Sequence, residues 1–280
     1  MSNKVTVVVR NLSKTYRLTK TGSSRGLFNR GGWTEVEALK SVSFIAHEGD
    51  AIGVLGKNGS GKSTLMNIIS GGVAPTTGDV LVSAQPTLLS VSGALQNHLS
   101  GTQNARLGLL AKGMEPREAE ALTKEVIAWA DLNDAADRPL KTYSSGMKAR
   151  LKFALATAAP SEVLLIDEAL ATGDSAFTAK AKRRMDQFLG GTGTMLLVSH
   201  SASSIRKHCN RAIWINDGEV ISDGSVREVS KPYERWNKAR ANEDTQSAAQ
   251  IVEDVKQGYR KPSIVFDSEA RKYFNTQYMR

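Results

Sequence analysis

The sequence has a single cysteine, Cys209, among 280 residues. No internal disulfide can form. Long apolar runs are missing too: the richest, Val163 to Ile166 and Met195 to Val198, are short, whereas a membrane-spanning helix needs about 20 apolar residues in succession. Runs this short suit buried strands, so the chain is expected to lie outside the bilayer. Met1 to Arg10 lacks the charged-then-apolar profile of a secretory signal, and a reducing cytoplasm is the expected compartment. Acidic residues are outnumbered, 28 Asp+Glu against 37 Lys+Arg, for a net charge of +9. That balance favours an anionic partner (nucleic acid, an acidic membrane face or a phosphorylated ligand) without choosing among them. Apolar side chains, in contrast, make up 40% of the chain. They suffice for a sizeable core and exclude the fibrous and disordered classes.

Val5 to Val9 is β-branched and apolar, Ala38 to Ile45 alternates as a half-buried strand does, and Asp50 to Leu55 is an apolar strand entering a glycine-rich turn. Between the first two, Arg17 to Trp33 holds Arg17, Lys20, Arg25 and Arg30, several glycines and no acid, the pattern of a long basic loop. From Leu99 to Asp137 the period is helical: Pro116-Arg117-Glu118 suits a helix start, and Leu122, Val126, Ile127 and Ala130 form one face. After Leu140, strand and helix patterns alternate through Val163 to Ile166, Ala179 to Leu189, Thr194 to Val198 and Ile205 to Cys209. Ala212 to Ile215 and Glu219 to Ile221 then form a hairpin through Asn216-Asp217-Gly218. This alternation predicts a mostly parallel α/β sheet. Beyond Ser230 the chain is polar and basic with few apolar faces, and it reads as a helical or partly disordered tail. No internal repeat is present.

Gly56-Lys57-Asn58-Gly59-Ser60-Gly61-Lys62-Ser63 fits G-x-x-x-x-G-K-[ST] between a strand and the helical pattern Thr64 to Ser70, the setting such a loop requires. Its glycines let backbone N–H groups wrap a β-phosphate at a helix N-terminus, Lys62 reaches the β and γ oxygens, and the Ser63 hydroxyl ligates Mg²⁺. Asp167 and Glu168 end the run Val163 to Ile166, at the carboxyl end of a strand where α/β sheets hold ligands. Beside a phosphate loop, Asp167 would hold Mg²⁺ through its water shell and Glu168 would orient or deprotonate the water that attacks the γ-phosphate. Elsewhere the same pair is commonly a helix N-terminal charge pair. His200 follows the strand Met195 to Val198; it is either a structural strand-end histidine or a hydrogen-bond donor to the γ-phosphate at the same sheet edge.

Tyr143-Ser144-Ser145-Gly146-Met147 opens a helix whose inward face reads Met147, Leu151, Ala154, Leu155 and Ala158. Taken alone, Ser-Ser-Gly is a helix N-cap. Between the helical stretch and the Asp167-Glu168 strand, it resembles the signature of the ATP-binding-cassette superfamily, usually Leu-Ser-Gly-Gly-Gln, with Met147 and Lys148 in the last two places. The variant is similar to that of cassette subunits of bacterial polysaccharide and teichoic-acid exporters. The resemblance covers about Val5 to Val229. It implies an α/β fold: a phosphate-loop ATPase core with a mostly parallel sheet, an antiparallel β subdomain and an inserted helical subdomain at about residues 92–158. Together these form a nucleotide-binding domain of residues 1–230, followed by the basic tail 231–280. The resemblance also implies that Thr64 joins Gly56 to Ser63 in holding ATP, that Tyr16 stacks on adenine rather than serving as a strand-edge tyrosine, and that His200 is the switch histidine. Ala171-Thr172-Gly173-Asp174 matches the loop, Asp174 included, that contacts the partner's site. In the superfamily two cassettes close head to tail, so ATP held by Lys62 of one copy is covered by Ser145 and Gly146 of the other.

One element departs from the superfamily pattern. The glutamine that senses the γ-phosphate and Mg²⁺ in most cassettes falls near Ser90 or Val91, and the neighbouring Gln85 and Gln96 read as exposed loop amides. The resemblance implies an ATP-hydrolysing, Mg²⁺-using homodimer on the cytoplasmic face of the membrane. It would work with a separate integral-membrane permease and export a lipid-linked polysaccharide, with no nucleic-acid partner expected. Gln85-Pro86-Thr87-Leu88-Leu89 and Glu168 to Asp174 look closest to actinobacterial exporters of lipid-linked galactan, ahead of teichoic acid or O-antigen. The residues after Ser230 are too few, and lack the alternating strands, for a sugar-binding sandwich. The competing reading is a non-transport cassette acting on nucleic acid or ribosomes, which the charge would suit; such proteins usually carry two cassettes or long coiled coils.

Overall fold

A computed structural model of the chain describes residues 4–19, 33–89, 95–159, 161–167, 175–190 and 193–269. The β-branched start grows into β1 (Val5–Thr19), paired antiparallel with β2 (Trp33–His47). Both strands outrun the sequence expectation, and Arg17 and Trp33, read as the ends of a basic loop, belong to them. Arg17 is compensated by Glu35, opposite it in the ladder, at Nε–Oε1 3.0 Å. The apolar β3 (Ala51–Leu55) is buried throughout and leads through the glycine-rich turn into α1 (Lys62–Ile69). β4 (Thr77–Val82) then pairs with the other edge of β1, giving a three-stranded sheet in the order β2-β1-β4.

After the short β5 (Thr87–Leu89), three helices form a lobe: α2 (Gly101–Ala111), α3 (Pro116–Trp129) and α4 (Ser145–Ala156). Ser100 and Gln103 close α2 with a reciprocal capping box, and Pro116 occupies the first turn of α3, where its missing N–H is not needed. The expected inward stripe of α4 packs as one face: Leu151 and Ala154 are buried in the lobe's core, and Met147, Leu155 and Ala158 lie partly buried against it. A second face went unread, since Phe153 and Ala156 are buried in the core of the main sheet. A helix wedged between two cores buries residues on both sides, so a single stripe describes only half of it.

The chain then alternates through β6 (Val163–Asp167), α5 (Ser175–Gly190), β7 (Thr194–Ser199), α6 (Ala202–His208), β8 (Arg211–Asn216) and β9 (Glu219–Ser225). The main sheet has the order β5-β6-β7-β3-β8-β9, parallel except for the β8–β9 hairpin. Its central strands are apolar on both faces because both are covered. In β6, Val163 and Leu165 face the three-stranded sheet and α1, while Leu164 and Ile166 face α5 and α6.

The expected division at Ser230 runs through a helix, α7 (Val226–Ala241), which is followed by α8 (Thr245–Gly258). Val229, Tyr233 and Trp236, three and four residues apart, form one apolar stripe among charges. This stripe closes the main core. Trp214 of β8 meets Tyr233 edge-on, with ring centroids 5.2 Å apart, and Trp236 at 5.5 Å. The residues after α8 lie back across the three-stranded sheet: Lys261 Nζ donates to Ser41 Oγ (2.7 Å), and Arg10 pairs with Asp79 and Glu269 under the ring of Phe266. Among the described residues no helix is long and apolar enough to cross a membrane.

Candidate nucleotide site

The site begins with the loop between β3 and α1. β3 ends between β7 and β8, in register with Ser199 and Trp214, so the loop leaves the carboxyl edge of the sheet at its middle. Gly61 sets the helix entry with φ +102, and a Cβ there would strike the Ala38 carbonyl oxygen of β2. Only glycine meets both demands. As N-cap of α1, Gly61 supplies no side-chain cap, and no acid lies in the first turn. The first-turn N–H groups therefore remain available to an anion at the positive end of the helix dipole.

Lys62 is buried, and its Nζ donates to the carbonyl oxygens of Gly56 and Lys57, each at 2.7 Å. The ammonium thus lies folded over the loop's own carbonyls, in the ring that would surround a phosphate. A cleft of about 330 Å³ is lined by Asn58, Gly59, Gly61, Lys62, Ser63 and Thr64, by Ala38, and by Asp167 and Val198 from the neighbouring strand ends. Asp167 and Val198 stand opposite each other across β6 and β7. The sequence motif and the strand-end carboxylate therefore meet in one place. Ser60 is fully buried, with no hydrogen-bond partner for its Oγ among the described residues.

The other expected residues are distributed around this cleft. His200 is exposed just beyond β7, and its carbonyl accepts from Tyr233 Oη at 3.4 Å. Tyr16 lies on β1 opposite Val36, near the cleft-lining Ala38 along β2, with Lys14 Nζ 5.1 Å from its ring centre. Ser144, not Ser145, is the N-cap of α4, its hydroxyl accepting from Met147 N at 3.2 Å. That places Ser145 and Gly146 in the first turn, and neither lines the Lys62 cleft of its own chain. At the far end of α4, Lys112 Nζ donates to the Leu155 and Ala156 carbonyls, each at 2.9 Å, and desolvation pushes its pKa down to about 8. Gln85 and Gln96 are exposed, with the Gln85 side-chain amide donating to Ser70 O. Glu168, the loop Ala171 to Asp174, and Ser90 and Val91 lie outside the described residues.

Sequence reading missed two neighbours of the loop. Ala38 carries no chemical signal and is found only through its contact. Asp217, read as part of a hairpin turn, sits against the loop with its carboxylate 2.6 Å from Lys57 Nζ; the Asn216-Asp217-Gly218 turn was legible, its partner was not.

The ABC transporter family profile matches residues 39–171, from β2 through the loop and α4 to just past β6. A teichoic acids export ATP-binding protein TagH of Lactococcus lactis is 38% identical over 241 residues, 84% of this chain and 52% of that protein. The chain thus spans about half that relative's length. TagH of Listeria monocytogenes is 36% identical over 242 residues, 85% of this chain and 72% of that protein. TagH of Staphylococcus haemolyticus is 35% identical, over 84% of this chain and 90% of that protein. Among solved structures, the dimeric cassette MJ0796, described as a bacterial ABC transporter cassette, superimposes with a TM-score of 0.66 at 25% identity, over 79% of this chain and 99% of that one. Its form bound to ADP and Pi gives 0.67 at 24% identity. On these relationships the chain belongs to the ABC transporter family and is one of its ATP-binding, ATP-hydrolysing cassettes.

Proposed function

We propose that this chain is the ATPase subunit of an exporter that moves a lipid-linked polysaccharide across the cytoplasmic membrane, working as a homodimer beneath a separate integral-membrane permease. The observation that carries the reading is the meeting of Lys62, Ser63 and Asp167 on one cleft, in a chain whose relatives are named for teichoic acid export.

In this reading Gly56 to Thr64 hold the phosphates of ATP, with Lys62 exchanging the carbonyls of Gly56 and Lys57 for the β and γ oxygens. The Ser63 hydroxyl and the Asp167 carboxylate are hard oxygen donors on the same cleft, a set that suits Mg²⁺, which keeps several waters and takes one or two carboxylates beside phosphate. Bound there, Mg²⁺ would neutralise charge developing on the transferred group. Glu168, next along the chain, orients the attacking water and takes its proton, His200 donates to the γ-phosphate, and Tyr16 stacks on adenine. Ser145 and Gly146 close the site of a second copy, and Asp174 is assigned to contact with that same partner site. Their place outside their own chain's cleft and the dimeric MJ0796 cassette support this arrangement. Without a spanning helix among its described residues the chain would reach the bilayer's cytoplasmic face through its permease. The finer substrate reading, galactan ahead of teichoic acid or O-antigen, rests on Gln85 to Leu89 and Glu168 to Asp174 alone.

Depletion of the protein in its host tests the export role. Full-length lipid-linked glycan is expected to accumulate on the cytoplasmic side, since synthesis continues while the energy for translocation is removed. Normal surface glycan without internal build-up would reject export even if every ATPase residue acted as assigned.

A further inference from the structure

The β8–β9 turn touches the phosphate loop at several points. Asp217 Oδ1 lies 2.6 Å from Lys57 Nζ, the Gly218 N–H donates to the Ser60 carbonyl at 3.2 Å, and the Lys40 N–H donates to the Gly218 carbonyl at 2.8 Å. Just before the turn, the Ile215 carbonyl stands where a Cβ on Gly56 would fall. The turn is thus wedged between the loop and β2. Asp217 and Gly218 both have positive φ, 48 and 84, the two-residue hairpin geometry that aspartate-glycine accepts. Asn216 Nδ2 lies 3.4 Å from the second carboxylate oxygen of Asp217.

We propose that Asp217 is a positioning residue for ATP: acting through Lys57, it holds the phosphate loop in its binding shape before nucleotide arrives. This rests on the nucleotide-site reading given above. Two physical effects follow from the pair. A loop already tethered through the Lys57 side chain and the Ser60 carbonyl loses less freedom when phosphate is bound, which favours affinity. The carboxylate also engages Lys57, so that Lys62 is the cation presented inside the cleft. Lys57 and Asp217 are partly solvated, with side chains 35% and 60% exposed, so the contribution is that of a surface ion pair and responds to salt.

The test uses the purified full-length chain, a fluorescent ATP analogue for affinity and steady-state ATPase assays for KM and kcat. Asp217→Asn removes the charge while keeping a side chain that tolerates positive φ, so the turn is retained, and unchanged Tm verifies this. Affinity is expected to weaken about two- to five-fold, the range of exposed ion pairs, with KM rising and kcat changing less. Lys57→Ala should have a similar effect, the double variant should be no worse than either single one, and high salt should erase the difference from the parent. Unchanged affinity in Asp217→Asn, or losses that add in the double variant, would overturn the proposal, the second because Lys57 would then act on the nucleotide by itself. Lys62→Ala forms a separate arm. If it too retained full affinity, the nucleotide-site reading would fail; if it alone lost affinity, only the Asp217 role would fail.

Discussion

The ammonium of Lys62 lies 2.7 Å from the carbonyl oxygen of Gly56, at the start of the same loop. On the proposed reading, a phosphate entering the cleft would take over a lysine that the loop already holds in place, with little side-chain freedom left to lose. Lys62→Ala is expected to weaken ATP binding about ten- to a hundred-fold, the scale of a lost charge-assisted hydrogen bond. Fluorescent-nucleotide titration measures it, and unaltered affinity would refute the role.

Glu168→Gln should leave binding intact while slowing turnover about 10²–10⁴-fold, because it keeps the shape of the side chain and removes its basicity. Size-exclusion chromatography with ATP should show a trapped dimer. Hydrolysis at the parental rate would remove Glu168 from the mechanism.

A site shared between copies makes a distinctive demand. Gly146→Asp should abolish turnover with nucleotide binding retained, since a carboxylate at the N-terminus of α4 would repel the partner's γ-phosphate. Mixed with inactive Lys62→Ala chains, it should recover part of the activity, because each mixed dimer contains one site with Lys62 from one copy and an intact Gly146 from the other. No recovery in verified mixed dimers would mean that the site is complete within one chain.

The aromatic contacts among Trp214, Tyr233 and Trp236 make α7 part of the main core. Trp236→Ala is expected to cost about 3–5 kcal/mol in urea unfolding, as large aromatic truncations in cores do. Truncation after Ser230 should yield insoluble protein; a stable, ATP-binding product would show α7 to be dispensable.

Burial pushes the Cys209 thiol up to about 12. At pH 8.5 the native chain should therefore resist a thiol reagent that labels it rapidly in urea, since only the thiolate reacts. Because the unfolded thiol titrates near 9, the folded state binds the extra proton above that pH, and stability should fall as pH rises from about 9 towards 12. Rapid native labelling at pH 8.5 would contradict the buried placement.

The cleft was legible because its residues carry two independent signals, glycine spacing around Lys62 and a carboxylate ending an apolar strand at Asp167. The Asn216-Asp217-Gly218 turn was equally plain from its composition. What sequence does not contain is adjacency: nothing in the order of strands reveals that β3 lies between β7 and β8, and so nothing brings Asp217 to Lys57. The α7 stripe was present in the spacing of Val229, Tyr233 and Trp236 but was outweighed by the charges between them. In α4 the spacing of Met147, Leu151, Ala154, Leu155 and Ala158 disclosed the face toward the lobe, but Phe153 and Ala156, which a second core claims, fell outside that period.

The central place of β3 also has a temporal side. Its neighbours β7 and β8 end at Ser199 and Asn216, far downstream of Leu55, so the ribosome releases the phosphate loop long before the strands that will flank it. At about 5–20 residues per second the wait is roughly seven to thirty seconds. Throughout that interval a fully apolar strand has neither ladder partner. The nascent chain is then a client for whatever shields exposed strand edges, and slowing synthesis between the loop and β8 should lower the yield of soluble protein more than slowing it after Ala241.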